Sequence, residues 1–242
     1  PSEFTEGKKS IDINGLVWMG DEVFMMEQIE EKLAQGFHCV KLKIGAIDFQ
    51  KELDLLHFIR QNFDENTIEI RVDANGAFSE DLALNKLNQL AGYKLHSIEQ
   101  PIAKNHTDTM AELCKTTPIP IALDEELIGV FSYEDKEQLL QKIKPQYIIL
   151  KPSFVGGFRG TKEWIDLANK HQIGWWITSA LESNIGLNAI AQWTYLQQNP
   201  MPQGLGTGAL YTNNFDCPLE VNKGKLEYNP KVSWHTDKLF KV

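Results

Sequence analysis

Charged residues stand near the carboxyl ends of five successive strand-like segments of this 242-residue sequence. They are Lys43, Asp73, Glu99, Asp124 and Lys151. Their successive separations are 30, 26, 25 and 27 residues, each about the length of one strand followed by one helix. Active sites of parallel barrels are built from the carboxyl ends of several strands. This register therefore predicts that the five side chains converge at one end of a barrel.

Three of these residues, Asp73, Glu99 and Asp124, are carboxylates on adjacent predicted strands. Held close together without a counter-ion, they would repel one another strongly. A hard divalent cation removes this conflict, and oxygen ligands with positions left open for water and substrate suit Mg²⁺, with Mn²⁺ as an alternative. The spacing therefore predicts a metal site.

Lysines complete the predicted site. Lys41 and Lys43 in the segment KLKIG are two residues apart, so both side chains lie on one face of a strand. The cation and Lys41 are expected to disfavour the charged form of Lys43 and to lower its pKa toward that of a useful base. Lys151 flanks the metal on the other side. Arg71 shares the inward face with Asp73, and we expect it to hold an anionic group of the substrate.

Each of these residues alone has an ordinary structural explanation. A single aspartate can open a turn or favour the start of a helix, and a single lysine can be a solvated loop residue. Even spacing on five strands makes the joint structural explanation improbable. The pattern as a whole therefore favours a functional site.

Strand-like and amphipathic segments alternate along most of the chain. Strands are predicted over residues 14–19, 39–45, 68–75, 95–101, 119–125, 147–153, 173–179 and 203–207. Helices are predicted over residues 21–36, 49–63, 79–90, 133–144, 160–172 and 183–198. The alternation predicts an α/β fold, a TIM-type (β/α)7β barrel over residues 11–207. Residues 1–10 are predicted to be a leading segment and residues 208–242 a hairpin-bearing tail.

An open doubly wound sheet is the alternative architecture. It is disfavoured because no glycine-rich phosphate-binding sequence follows the first predicted strand. The nearest candidate, VGGFRG at 155–160, is a weak signal by itself.

Composition restricts the partners and the location. The formal net charge of −9 argues against a nucleic acid or an anionic membrane as partner. No apolar run reaches transmembrane length. The cysteines (Cys39, Cys114 and Cys217) are too few and too scattered for a disulfide framework, so the cytoplasm is the expected location. The sequence leaves open whether the chain forms a homo-oligomer.

Six segments, in this order, carry a family resemblance: KLKIG, RVDANGAF, IEQP, ALDEEL, LKPSFVGG and ITSALESNIGL. They resemble the barrel domain of the enolase superfamily, in its muconate-lactonising-like branch, and within it the o-succinylbenzoate synthase family. SALESNIGL and GLGTGALYTNN carry that closer likeness. The resemblance implies a smaller N-terminal capping domain, which we expect to be absent from this chain, and a tail from about residue 208 that packs against it.

The resemblance also implies roles for the site residues. Asp73, Glu99 and Asp124 match the family's Mg²⁺ ligands, Lys43 its base, and Lys151 the lysine that faces the base. The implied reaction is the Mg²⁺-dependent syn-dehydration of a succinyl-hydroxycyclohexadiene carboxylate to o-succinylbenzoate, a step of menaquinone biosynthesis. It proceeds by removal of the proton α to the carboxylate and through a metal-stabilised enediolate. Arg71, Thr178 and Ser179 are expected to line the substrate pocket.

Other activities remain open on the sequence. An N-acylamino-acid racemase or a dipeptide epimerase would use the same two lysines as opposed bases, although the D-x-D sequence typical of the epimerases is replaced by GLGTG. From a different class, a barrel aldolase would form a Schiff base on one lysine. A non-catalytic barrel that binds only a metal or a partner is the remaining alternative.

Overall fold

Seven parallel strands form one continuous curved sheet in a computed structural model that describes residues 1–235. The strands of the chain are β1 (Ile11–Asp12), β2 (Gly15–Val17), β3 (Cys39–Lys43), β4 (Glu69–Asp73), β5 (Ser97–Glu99), β6 (Ile121–Leu123), β7 (Tyr147–Leu150), β8 (Gly174–Ile177), β9 (Leu219–Asn222) and β10 (Lys225–Tyr228). In the large sheet, β2 to β8 pair in the order of the sequence. This order is that of a (β/α) barrel, as predicted.

Helices connect successive strands of the large sheet. They are α1 (Glu22–Ala34), α2 (Phe49–Asn62), α3 (Glu80–Leu90), α4 (Thr107–Thr116), α5 (Tyr133–Ile143) and α6 (Gly157–Lys170), and α7 (Asn184–Leu196) follows the last strand, β8. Side-chain caps help to fix where some of them begin: the carboxylates of Asp21 and Asp48 and the hydroxyl of Ser132 accept backbone N–H groups of the first turns.

Helix α4 was not predicted. Its buried residues, Met110, Leu113 and Cys114, have helical spacing but cover little more than one turn. A short helix of this kind is stabilised mainly by packing rather than by its own propensity. Such packing leaves only a weak signal in the sequence.

The barrel closes through residues 203 and 204, where an eighth strand was predicted. This segment makes only isolated parallel bridges, Ile13 with Gln203 and Thr178 with Gly204. The Gln203 side chain supports the closure, because its Oε1 accepts the N–H of Ile177 at 2.8 Å. A Cβ at Gly204 would lie 2.1 Å from Thr178 Oγ1, so this close approach requires glycine.

The tail forms the predicted hairpin. Strands β9 and β10 pair antiparallel, and β10 also pairs with β1 near the start of the chain. Phe4 is fully buried, with ring centroids 5.7 Å from Tyr195 on α7 and 6.0 Å from Tyr228 on β10. The leading segment and the tail therefore pack together against α7. The predicted boundaries at residues 10 and 207 remain a prediction, and residues 236–242 lie outside the described residues.

None of the helices in residues 1–235 combines the length and the apolar character needed to cross a membrane.

Candidate active site

Backbone register aligns three of the predicted charged residues, and the other two follow the next two strands. Lys43 is the register partner of Asp73 across β3 and β4, and Asp73 is the partner of Glu99 across β4 and β5. Asp124 and Lys151 each come directly after a strand, β6 and β7 respectively. The structure thus places all five on the carboxyl side of the sheet.

Ammonium groups neutralise the three carboxylates. Lys41 Nζ lies 3.0 Å from Asp73 Oδ2 and 2.6 Å from Glu99 Oε2. Lys43 Nζ lies 2.6 Å from the same Asp73 oxygen, and Lys151 forms an ion pair with Asp124. The carboxylates are almost completely buried, whereas the side chains of Lys43 and Lys151 keep 13% and 17% exposure. The two lysines therefore form the accessible surface of a buried charge cluster.

Protonation in the cluster reflects burial and neighbouring charge. Burial alone would raise the pKa of Asp73, but Lys41 and Lys43 outweigh it and hold that pKa below its usual range. Burial and the adjacent Asp73 charge raise the pKa of Glu99 well above its usual range. Burial disfavours the charged forms of Lys41 and Lys151, yet the facing carboxylates raise both pKa values. Ion pairing therefore dominates over desolvation at both lysines.

The donor set fits a hard divalent cation. All three carboxylates offer oxygen atoms, and Glu99 Oε1 is buried with no hydrogen-bond partner among the described residues. Within residues 1–235, no three His, Cys, Asp or Glu side chains are already gathered into a metal-binding cluster. The lysine ammonium groups hold carboxylate oxygens that a cation would need. The chemistry of the donors and the free Glu99 oxygen support a hard cation here.

A cavity of about 260 Å³ opens above the lysines. Its lining contains all three lysines, and also Thr178 and Ser179. The other lining residues come from β2 and the residues beside it, from the loops after β7 and β8, and from the segment that closes the barrel: Asn14, Leu16, Trp18, Phe154, Ala180, Leu181, Gly204, Gly206 and Thr207. The cavity is therefore cationic and hydroxyl-bearing at its base, with apolar side chains around it.

The hydroxyl side of the cavity is internally bonded. Ser179 Oγ and Thr207 Oγ1 are 2.6 Å apart, and Thr178 Oγ1 donates to the carbonyl of Gly204 at 3.0 Å. These contacts tie the end of β8 to the segment that closes the barrel. They fix one wall of the pocket.

Asn75 and Glu125 belong to the charge cluster, and the sequence interpretation missed both. Lys43 Nζ donates to Asn75 Oδ1 at 2.7 Å, and Asn75 Nδ2 donates to Glu125 Oε1 at 2.9 Å. Because Glu125 accepts from the amide nitrogen, the amide oxygen of Asn75 faces Lys43. Their positions close behind Asp73 and Asp124 in the sequence could have indicated them.

The structure corrects the position expected for Arg71. Its side chain is 1% exposed and does not line the cavity. Its Nε donates to Glu69 Oε1 at 2.7 Å, its guanidinium carbon lies 4.2 Å from the centre of the Trp176 ring, and it also donates to the carbonyl of Pro202. Arg71 shares the inward face with Asp73 but lies one layer nearer the amino ends of the strands. A shared face does not imply a shared height.

Lys41 starts from the same lower layer, because its register partner is Arg71. Its unbranched chain extends upward to the carboxylates, and it is 8% exposed. Lys41 is therefore positioned as a cation between Asp73 and Glu99.

Comparisons with known proteins agree with this geometry. Residues 25–231 match the family described as "Enolase C-terminal domain-like". The chain is 59% identical, over 93% of its length, to an o-succinylbenzoate synthase of Desulfotalea psychrophila. It spans about 61% of the length of that relative.

Solved structures give the same result. The crystal structure of MenC from Desulfotalea psychrophila LSv54 matches with a TM-score of 0.87 and 57% identity, over 94% of this chain and 63% of that one. Muconate cycloisomerase from Pseudomonas fluorescens matches with a TM-score of 0.81 and 25% identity, over 95% of this chain and 64% of that one. The family match covers most of the chain and the barrel agrees with it, so this chain belongs to the enolase C-terminal domain-like family.

Proposed function

We propose that this chain is the barrel domain of a Mg²⁺-dependent o-succinylbenzoate synthase, a hydro-lyase acting in menaquinone biosynthesis. The 59% identity to an o-succinylbenzoate synthase carries this proposal. The lysines and carboxylates at the carboxyl end of the barrel support it. The substrate is a small carboxylate that bears a succinyl group, and we propose that the protein acts in the cytoplasm.

Asp73, Glu99 and Asp124 are the residues proposed to hold the metal. The bound Mg²⁺ would supply electrostatic stabilisation for the negative charge that develops on the substrate carboxylate. Binding requires the carboxylates to exchange some of their lysine contacts for the cation. The free Oε1 of Glu99 supports this role, because it is a buried acceptor that nothing else among the described residues uses.

Lys43 is proposed as the general base. Its Nζ is held between Asp73 Oδ2 and Asn75 Oδ1, and Lys43 lines the cavity. It would take the proton α to the carboxylate and return a proton to the departing hydroxide on the same face. Water loss then makes the ring aromatic. Lys151 would contribute a fixed positive charge from the other side of the cavity.

Racemisation of an N-acylamino acid is a second candidate. The observation that favours it is that Lys43 and Lys151 both line the same cavity, as two opposed bases would. Such a reaction needs the same lysines but places Lys151 in the role of a second base.

A direct assay separates these activities. The full-length protein is incubated with Mg²⁺ and the succinyl-hydroxycyclohexadiene carboxylate, beside Lys43→Ala and Lys151→Ala, and with an N-succinylamino acid in parallel. Dehydration that both substitutions abolish is expected. Racemisation without dehydration would replace the proposal with the second candidate. Activity that survives EDTA, with a lysine trapped by borohydride, would indicate a Schiff-base aldolase instead.

A further inference from the structure

Glu52, in the first turn of α2, is a buried carboxylate outside the charge cluster. Its side chain is 1% exposed. One oxygen, Oε1, accepts three consecutive backbone N–H groups, those of Gly45 at 2.6 Å, Ala46 at 3.2 Å and Ile47 at 3.4 Å. These amides belong to the loop that begins directly after Lys43. Glu52 thus holds the chain immediately beyond the proposed base.

That loop is also locked to the next one. The N–H of Ile44 donates to the carbonyl of Asp73 at 2.8 Å. Gly45 has a φ of +94°, and a Cβ there would lie 2.5 Å from the Cβ of Ala77. The loop containing Ala77 also carries Asn75, whose amide oxygen accepts from Lys43. The two loops that surround the Lys43 ammonium therefore fit against each other without spare space.

The burial of Glu52 has a free-energy cost that the packing of α2 alone does not require. Burial raises the pKa of Glu52, and the three backbone hydrogen bonds only partly offset this. Its second oxygen, Oε2, is buried without a hydrogen-bond partner in the described part of the chain. An apolar side chain would fill the position without such a cost. What a carboxylate adds is an acceptor for three amides of one loop.

We propose that Glu52 is a positioning residue for Lys43: by holding the N–H groups of residues 45–47, it fixes the end of β3 and so the placement of the Lys43 amine against Asp73, Asn75 and the substrate. The proposal rests on the proposed function, in which Lys43 is the base. Small displacements of a reacting group slow the reaction strongly, since a shift of about 1 Å can lower the rate by about 10²-fold.

Two substitutions and one control test the proposal. Glu52→Ala removes the acceptor, whereas Glu52→Gln keeps an oxygen for the same amides. Asp54→Ala removes an exposed carboxylate from the same helix and serves as the control. Full-length proteins are compared by thermal unfolding, by hydrogen exchange of a peptide spanning residues 44–48, and by steady-state kinetics.

A further readout does not depend on activity. The rate at which acetic anhydride modifies Lys43 is measured by mass spectrometry relative to the exposed Lys115 in the same sample. This rate reports the surroundings of the Lys43 amine directly. A purely structural role would lower the unfolding temperature but leave both the relative Lys43 rate and kcat of the folded enzyme unchanged.

For Glu52→Ala, we expect faster exchange of the loop amides, a relative Lys43 rate changed at least threefold, and a kcat lowered by about 10- to 100-fold with KM changed much less. Glu52→Gln should restore most of the wild-type amide exchange, relative Lys43 rate and kcat. The proposal is overturned if Glu52→Ala matches Asp54→Ala in the Lys43 rate, or if Glu52→Gln is as impaired as Glu52→Ala. If the wild-type protein dehydrates nothing, the proposed function fails, while the Lys43 rate and the amide exchange still decide the role of Glu52.

Discussion

Two layers of charged side chains lie at different heights in the barrel. The upper layer contains Asp73 and Glu99, the lower layer contains Arg71, two residues before Asp73 on β4, and the two layers differ in the contacts that their charges make. In the upper layer, Asp73 and Glu99 share Lys41, and Glu99 retains a free buried oxygen. In the lower layer, Arg71 is paired with Glu69, stacked on Trp176 and bonded to the carbonyl of Pro202.

This difference separates reactive from structural charge. The upper cluster has accessible lysines at a cavity and contacts that can be exchanged for a ligand. The contact between Arg71 and Pro202 links β4 to the segment that closes the barrel, and the aromatic ring covers the guanidinium. Polarity and burial alone do not distinguish the two layers. The distinction lies in whether each charge borders the cavity: Lys43 and Lys151 line it, and Arg71 does not.

Removal of the metal should have the largest effect on the dehydration rate, and this effect should be confined to the upper layer. We expect EDTA to abolish dehydration and added Mg²⁺ or Mn²⁺ to restore it, because the developing carboxylate charge would lose its main stabilisation. The unfolding midpoint should change far less than the rate, since lysines can neutralise the carboxylates without a metal. Undiminished turnover in EDTA would contradict the metal assignment.

Lys43→Ala should have the second largest effect on the dehydration rate. Removing a general base lowers kcat by about 10²- to 10⁴-fold. Asp73 keeps its contact with Lys41, so the fold should persist, as measured by urea unfolding. Lys51→Ala on the exposed face of α2 is the matched control and should retain wild-type kcat. A Lys43→Ala protein with a normal rate would remove Lys43 from the reaction.

Arg71→Met should lower the stability of the protein and leave the dehydration rate nearly unchanged, the opposite of Lys43→Ala. It removes the ion pair with Glu69 and the contact with the Trp176 ring, so we expect a loss of about 3 kcal/mol in the free energy of unfolding. The kcat of the protein that remains folded should stay within a few-fold of wild type. Urea denaturation and active-site-normalised kinetics measure the two quantities. A large loss of kcat with unchanged stability would return Arg71 to the substrate pocket.

His96, which borders the lower layer, should give the smallest effect. Burial lowers its pKa, the charge of Arg71 acts in the same direction, and Glu69 at 4.0 Å opposes them. The centroid of the His96 ring lies 4.8 Å from that of Tyr147 and 6.1 Å from that of Trp176, and its Nδ1 lies 3.0 Å from Ser97 Oγ. His96 therefore binds a proton more readily in the unfolded chain than in the folded protein, so the free energy of unfolding should fall as the pH drops below about 6.5.

The test compares wild type with His96→Asn in urea at pH 7.5 and pH 5.5. The substituted protein should lose less stability between these two values than the wild type. An identical loss in both proteins would show that other groups carry the pH dependence.

The upper layer was largely predictable from the sequence, because the strand spacing alone aligned Lys43, Asp73 and Glu99. Its neighbours were less predictable. Asn75 contributes through the turn after β4, and a turn places side chains by its local backbone angles rather than by strand periodicity. Asn14, Leu16 and Trp18 did alternate on the strand predicted over residues 14–19, so a search for inward-facing positions could have found that wall of the cavity.

The lower layer and the closure of the barrel were not predictable. Period-two alternation assigns Arg71 to a face but not to a height, and its contact with Pro202 joins residues 131 positions apart. The predicted last strand is replaced by bridges that depend on Gln203 and on the space left by Gly204. Such contacts are tertiary, and no local pattern indicates them.

One set of measurements tests the division between the layers directly: the dehydration rate and the free energy of unfolding of wild type, Lys43→Ala and Arg71→Met under the same conditions. We predict a crossed result, in which Lys43→Ala loses the rate and keeps the stability, whereas Arg71→Met loses the stability and keeps the rate. If both substitutions reduce both quantities in proportion, the two layers act as one unit and the account is wrong.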